Sequence, residues 1–178
     1  LSQWIYLGIT LVIAITLHEF AHAYVADQLG DPTPRLQGRV TLNPMSHLDP
    51  LGSLMFIIFG FGWGRPVLTN PYNFRISIRA GMAIVAVAGP LSNLVLAIIA
   101  AIPLKFHLLD PFYYKFLNNI AGVAIFREFL LIFVLTNIAL LLLNMLPISP
   151  LDGFKVAMGL LPDDWAHKLA QTEQYGIM

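Results

Sequence analysis

The chain has 178 residues, 57% of them apolar and only 11% charged, with ten basic and ten acidic residues and no net charge. A soluble domain carries about 25% charged residues; here the apolar residues come in long blocks, which makes this an integral membrane protein with the lipid bilayer as a partner. The balanced charge leaves no basic stripe for nucleic acid, and the absence of cysteine excludes disulfides and thiolate metal sites.

The first apolar run, from about Trp4 to Leu29, is long enough to cross a bilayer. It reads as a span rather than a cleaved leader, because no basic stretch precedes it and no A-x-A-like site is evident. Gly30-Asp31-Pro32-Thr33-Pro34 ends it, with glycine as the C-terminal cap and prolines that forbid continuation. Inside this run sits His18-Glu19-Phe20-Ala21-His22. Ionisable side chains at membrane depth are costly without partners and by default mark function. On a helix each residue turns by about 100°, so His18 and His22 lie about 40° apart and about 6 Å along the axis. Both imidazoles can reach one metal. Glu19, about 100° round from His18, can address a metal-bound water without ligating. This is the H-E-x-x-H spacing of zinc hydrolases. The pattern is short enough to arise by chance, but chance rarely places three such residues in an apolar helix.

Residues 35–79 are polar at first, broken by Pro44 and Pro50, with a strand-like patch at Arg39-Val40-Thr41-Leu42. Residues 54–64, LMFIIFGFGWG, are strongly apolar but too short to span. A re-entrant loop or short β-ribbon is expected over about 36–64, packed near the first span. A surface loop with a greasy turn is the plainer alternative. His47 within it reads more readily as a structural histidine than as a ligand. A second span covers about 80–104 and contains Gly89-Pro90-Leu91-Ser92-Asn93. A loop at 105–122 follows, with His107 and the aromatics of 112–116 read as interfacial. A third span covers about 123–146 and is closed by Pro147 and Pro150. A short helix, about 153–161, then begins with Asp152 suited to its N-cap.

Arg35, Arg39, Arg65, Arg75 and Arg79 in the first loop outnumber Lys105 and Lys115 in the second. That bias puts the first loop on the cytoplasmic side, in the cell membrane if the source is prokaryotic. Three spans return Asp152 to the same face as His18 and His22. The chain opens at Leu1 and ends at Met178, so it is expected to be cut at both ends.

A catalytic zinc ion typically has three protein ligands and one open position. With His18 and His22 as two, the third must be His, Asp or Glu. His107 falls on the wrong face, and Asp27 and Asp31 lie too close along the same helix to fold back. Asp152 is the best candidate. One zinc ion held there lowers the pKa of its water to about 7 and polarises a carbonyl, while Glu19 serves as general base.

HEFAH at 18–22, GPLSN at 89–93 and NMLPISPLDG at 144–153 together resemble the site-2 protease family of intramembrane zinc metalloproteases, in its minimal few-span branch. The loop VTLNPMSHLDPLGSL adds to the likeness, which covers about residues 11–162. It implies an all-α polytopic membrane protein with a three-transmembrane-helix metalloprotease core, and zinc on His18, His22 and Asp152. It implies Glu19 as base and points to Asn144 as a donor to the tetrahedral oxyanion, an effect of about 3 kcal/mol. Asn93 is a second candidate polar group in or beside the site. Ser149 stands where relatives often have proline, and Phe154-Lys155 where a small residue is common. Nothing in the sequence indicates how substrates are selected.

The expected activity is endoproteolysis of transmembrane segments of membrane proteins, as in regulated intramembrane proteolysis. A helical substrate must unwind locally, and the 36–47 segment is the candidate to pair with it by β-addition. The alternatives are a non-catalytic protease-like scaffold, a metal or proton transporter using the same residues as a relay, or a membrane enzyme that trims soluble or prenylated peptides.

Overall fold

A computed structural model describes residues 2–59, 62–106 and 120–175. Its helices in chain order are α1 (Ser2–Gln28), α2 (Thr33–Leu36), α3 (Pro50–Phe59), α4 (Ile78–Lys105), α5 (Ile120–Asn144), α6 (Asp152–Leu160) and α7 (Asp163–Ala170). Among the described residues α1, α4 and α5 are long and apolar enough to cross a membrane. The loop aromatics at 112–116 and His107 lie outside the described residues.

The three long helices form one bundle with α4 at its centre. Small residues line the contact faces, with Ala14, Ala23 and Ala26 on α1 and Gly81, Ala86, Ala97 and Ala100 on α4 buried. Small side chains let helix backbones approach closely where lipid offers no hydrophobic contrast. Two apolar clusters fill the remaining space: Ala26, Phe74 and Val85 near the end of α1, and Ala100, Leu130 and Phe133 between α4 and α5. Large apolar residues point outward instead, including Ile9 and Ile13 on α1, Val95 and Ile99 on α4, and Leu135 and Leu142 on α5. Exposed apolar surface on this scale is what a bilayer-facing bundle requires.

Gly30 ends α1 at φ 108°, a left-handed backbone that favours glycine. Beside it Asp31 is fully buried. Its carboxylate accepts from Thr33 N at 3.0 Å, Thr33 Oγ1 at 2.5 Å, Asn70 N at 2.6 Å and Asn73 Nδ2 at 3.0 Å. Burial opposes ionisation of this group, but the donated hydrogen bonds of Thr33, Asn73 and Asn70 hold its carboxyl below the ordinary range. Asp31 thus ties the 70–73 turn to the end of α1.

No strand forms among the described residues, so the expected patch at 39–42 is corrected. Arg39 N bonds Pro34 O at 2.8 Å, and the Arg39 guanidinium turns inward to Ser46 O and Arg65 O. Asn43 then caps a 3₁₀ turn at Pro44–Ser46 through Met45 N. Four residues of β-type composition do not outweigh these local bonds. His47 is fully buried and donates from Nε2 to Thr41 O at 2.7 Å; burial lowers its pKa below the ordinary value. The first part of the apolar stretch, to Phe59, lies in helix α3, which touches α1. Phe56 meets Gly8 and Trp4, Gly62 and Trp63 pass close against Gly52, and Leu48 pairs with Gly64 in an isolated antiparallel bridge. A helix satisfies its own backbone in a way that an isolated two-stranded ribbon does not.

Candidate metal centre

His18 and His22 project from adjacent turns of α1, with ring centroids 4.7 Å apart and planes at 85°. Each ring uses Nδ1 to bond α4 and presents Nε2 to the same point. His22 donates from Nδ1 to Val85 O at 2.7 Å, and His18 donates from Nδ1 to Asn93 Oδ1 at 2.7 Å. Asp152 Oδ2 lies 3.0 Å from His18 Nε2 and 3.1 Å from His22 Nε2. Their ligand atoms all lie within 4.8 Å of one another.

Asp152 arrives by a tight turn after α5. Gly153 packs against the carbonyl groups of Met145 and Leu146, where a Cβ would collide. The residue that caps α6 is Leu151, without a side-chain bond, and Asp152 is the first helical residue. The reading of Asp152 as an N-cap is therefore corrected: its carboxylate is turned away from the helix end and toward the imidazoles.

With both Nδ1 hydrogens donated outward, two neutral rings would direct Nε2 lone pairs at a carboxylate oxygen. Three electron-rich atoms at this spacing repel unless a proton or a metal cation lies among them. Two imidazoles and one carboxylate, each imidazole oriented by a bond behind it, form a chemically suitable donor set for zinc. The room is preserved by Gly89, whose Cβ would fall 2.6 Å from His18 Nε2 and in collision with His22. These residues fit a metal.

Glu19, Asn144, Pro66, Val67, Thr69, Pro150 and Lys155 complete the cleft, of about 160 Å³. Asn144 donates one amide hydrogen to Leu140 O at 2.9 Å. Asn93 does not line the cleft; it is fully buried behind His18 and donates to Asn137 Oδ1 at 2.9 Å. Asn137 is a buried amide that the motifs did not single out. The signal was present, since an amide in an apolar span needs partners, but its position on the inward face of α5 becomes evident only when the bundle is assembled.

Gly89→Ala tests the cradle. Alanine raises helix propensity by about 1 kcal/mol over glycine, so α4 itself should persist. Purified Gly89→Ala is expected to lose bound zinc in elemental analysis, and retention of one ion per chain would contradict this use of the gap.

Peptidase family M50 matches residues 6–177. Over 100% of this chain and 79% of its own length, "Putative zinc metalloprotease YwhC" of Bacillus subtilis (strain 168) is 41% identical. "Putative zinc metalloprotease Rip2" of Mycolicibacterium smegmatis is 31% identical over 97% of this chain and 66% of its own length. Rip2 of Mycobacterium tuberculosis (strain ATCC 25618 / H37Rv) is 33% identical over 94% of this chain and 61% of its own length. The chain therefore spans less than two thirds of either Rip2 protein. No solved structure matches the chain significantly. These relatives are named as zinc metalloproteases, in keeping with a zinc cofactor. With the match running through both halves of the constellation, the chain belongs to peptidase family M50, the site-2 protease family.

Proposed function

We propose that residues 1–178 act as one membrane-embedded peptidase core that cleaves transmembrane segments of other membrane proteins, with its active site near the cytoplasmic side. The observation that carries the reading is the meeting of His18, His22 and Asp152 within a bundle of three apolar helices, with Glu19 in the same cleft. In this reading His18, His22 and Asp152 hold one zinc ion. Zinc supplies Lewis acidity, polarising a peptide carbonyl and acidifying water. Glu19 takes a proton from the attacking water and passes it to the leaving amine. Asn144 keeps a second amide hydrogen beyond the one given to Leu140 O, and offers it to the developing oxyanion.

A helical substrate hides its carbonyls in its own hydrogen bonds and must open before attack. The stretch 66–69 supports a pairing site different from the 36–47 segment. It has no helix or turn, Pro66, Val67 and Thr69 line the cleft, and among the described residues the backbone N–H groups of Val67, Leu68 and Thr69 have no protein acceptor. Both its flanks are anchored, by Arg39 on Arg65 O and by Asp31 on Asn70 N. An opened substrate pairs along this edge by β-addition.

Glu19→Gln separates this enzyme from a scaffold or a transporter. Cleavage of a transmembrane reporter is expected to fall by about 10²–10⁴-fold with zinc retained; unchanged cleavage would remove Glu19 from the mechanism. Val67→Pro, Leu68→Pro and Thr69→Pro each delete one backbone donor. At least one is expected to raise KM with zinc content preserved, and an unaltered KM in all three would rule out the pairing.

A further inference from the structure

Asn137 lies in the interior of α5, fully buried, and its amide faces that of Asn93 across the helix interface. A carboxamide in so dry a place is costly unless both its ends are bonded. Here the bonds have a direction. Phe133 O is a backbone carbonyl and can only accept, so Asn137 presents its nitrogen to it, at 2.9 Å. Asn137 Oδ1 is then left facing α4, and it also can only accept. Asn93 must answer with its own nitrogen, at 2.9 Å. That turns Asn93 Oδ1 toward His18, whose Nδ1 at 2.7 Å must carry the hydrogen. The lone pair is left on Nε2, the atom that points at Asp152.

We infer that Asn137 is a positioning residue of the metal centre, which fixes the tautomer of His18 through Asn93 from a backbone carbonyl of α5. His22 receives the same instruction in one step, from Val85 O. His18 faces a side chain instead, and an amide alone is ambiguous: its oxygen and nitrogen have nearly the same shape. Without Asn137, nothing stops the Asn93 amide from turning its nitrogen toward Nδ1. The ring then favours hydrogen on Nε2, and an Nε2–H cannot ligate. Asn137 touches neither substrate nor ligand atoms, and its effect travels through Asn93.

This inference rests on His18, His22 and Asp152 being the zinc ligands. The test is zinc affinity, measured by chelator competition on detergent-solubilised protein, for wild type, His18→Ala, Asn93→Ala, Asn137→Ala and the Asn93→Ala/Asn137→Ala double variant. Asn137→Leu, which keeps the branched heavy-atom skeleton without the polar groups, is read beside Asn137→Ala in case the smaller residue does not fold. Loss of a partner behind a metal-binding histidine weakens affinity by about 10–100-fold, and that is the expectation for Asn93→Ala and for Asn137→Ala or Asn137→Leu. The double variant should bind no more weakly than Asn93→Ala, because Asn137 has no other route to His18. Two results would overturn the inference: wild-type affinity when Asn137 is replaced, or an equal further loss when it is replaced in the Asn93→Ala background. If His18→Ala bound zinc as tightly as wild type, the ligand assignment itself would fall instead.

Discussion

Two imidazole Nε2 atoms and a carboxylate oxygen gather in an apolar bundle only with a proton or a metal cation to share. That repulsion organises the structure. The Nδ1 sides of His18 and His22 are bonded away to Asn93 and Val85, so the rings have Nε2 to turn inward. Asp152 is held within 3.1 Å of both Nε2 atoms by a turn that closes on Gly153. Replacing any of these contacts with an apolar one would relieve the repulsion, yet the fold assembles them from three separate stretches of chain.

The central helix α4 acts as the template. Val85, Gly89 and Asn93 are spaced four residues apart and so share one face. The first fixes one imidazole through its carbonyl, the second gives space to both, and the third fixes the other imidazole. On α5, Asn137 and Asn144 are spaced seven residues apart, two turns of one face. One supports the centre from behind and the other lines the cleft. The loop between α1 and α4 bonds itself to both ends of 65–70, through Arg39 and Asp31, and so keeps a non-helical segment beside the cleft.

Much of this was legible in the sequence because it depends on local periodicity. The spans follow from long apolar blocks, and the pairing of His18 with His22 follows from helical spacing alone. Asp152 was legible by topology, since three crossings return the chain to the same face. Its role as first helical residue rather than cap was not legible, because both readings place Asp before a short helix. The patch at 39–42 misled because β-type composition over four residues is weaker than the inward pull on Arg39 and the Asn43 cap. Asn137 and the part played by Asn93 were hidden for a different reason. An amide's function in a bundle depends on what faces it, and the faces meet only in the assembled structure.

The claim on which the rest depends is that zinc is shared between α1 and the turn after α5. Zinc content of wild type and Asp152→Ala, each assayed beside cleavage of a helical transmembrane reporter, tests it most directly. One ion per chain with cleavage in the wild type, and loss of both in Asp152→Ala, is the predicted result. Full zinc occupancy in Asp152→Ala would contradict it.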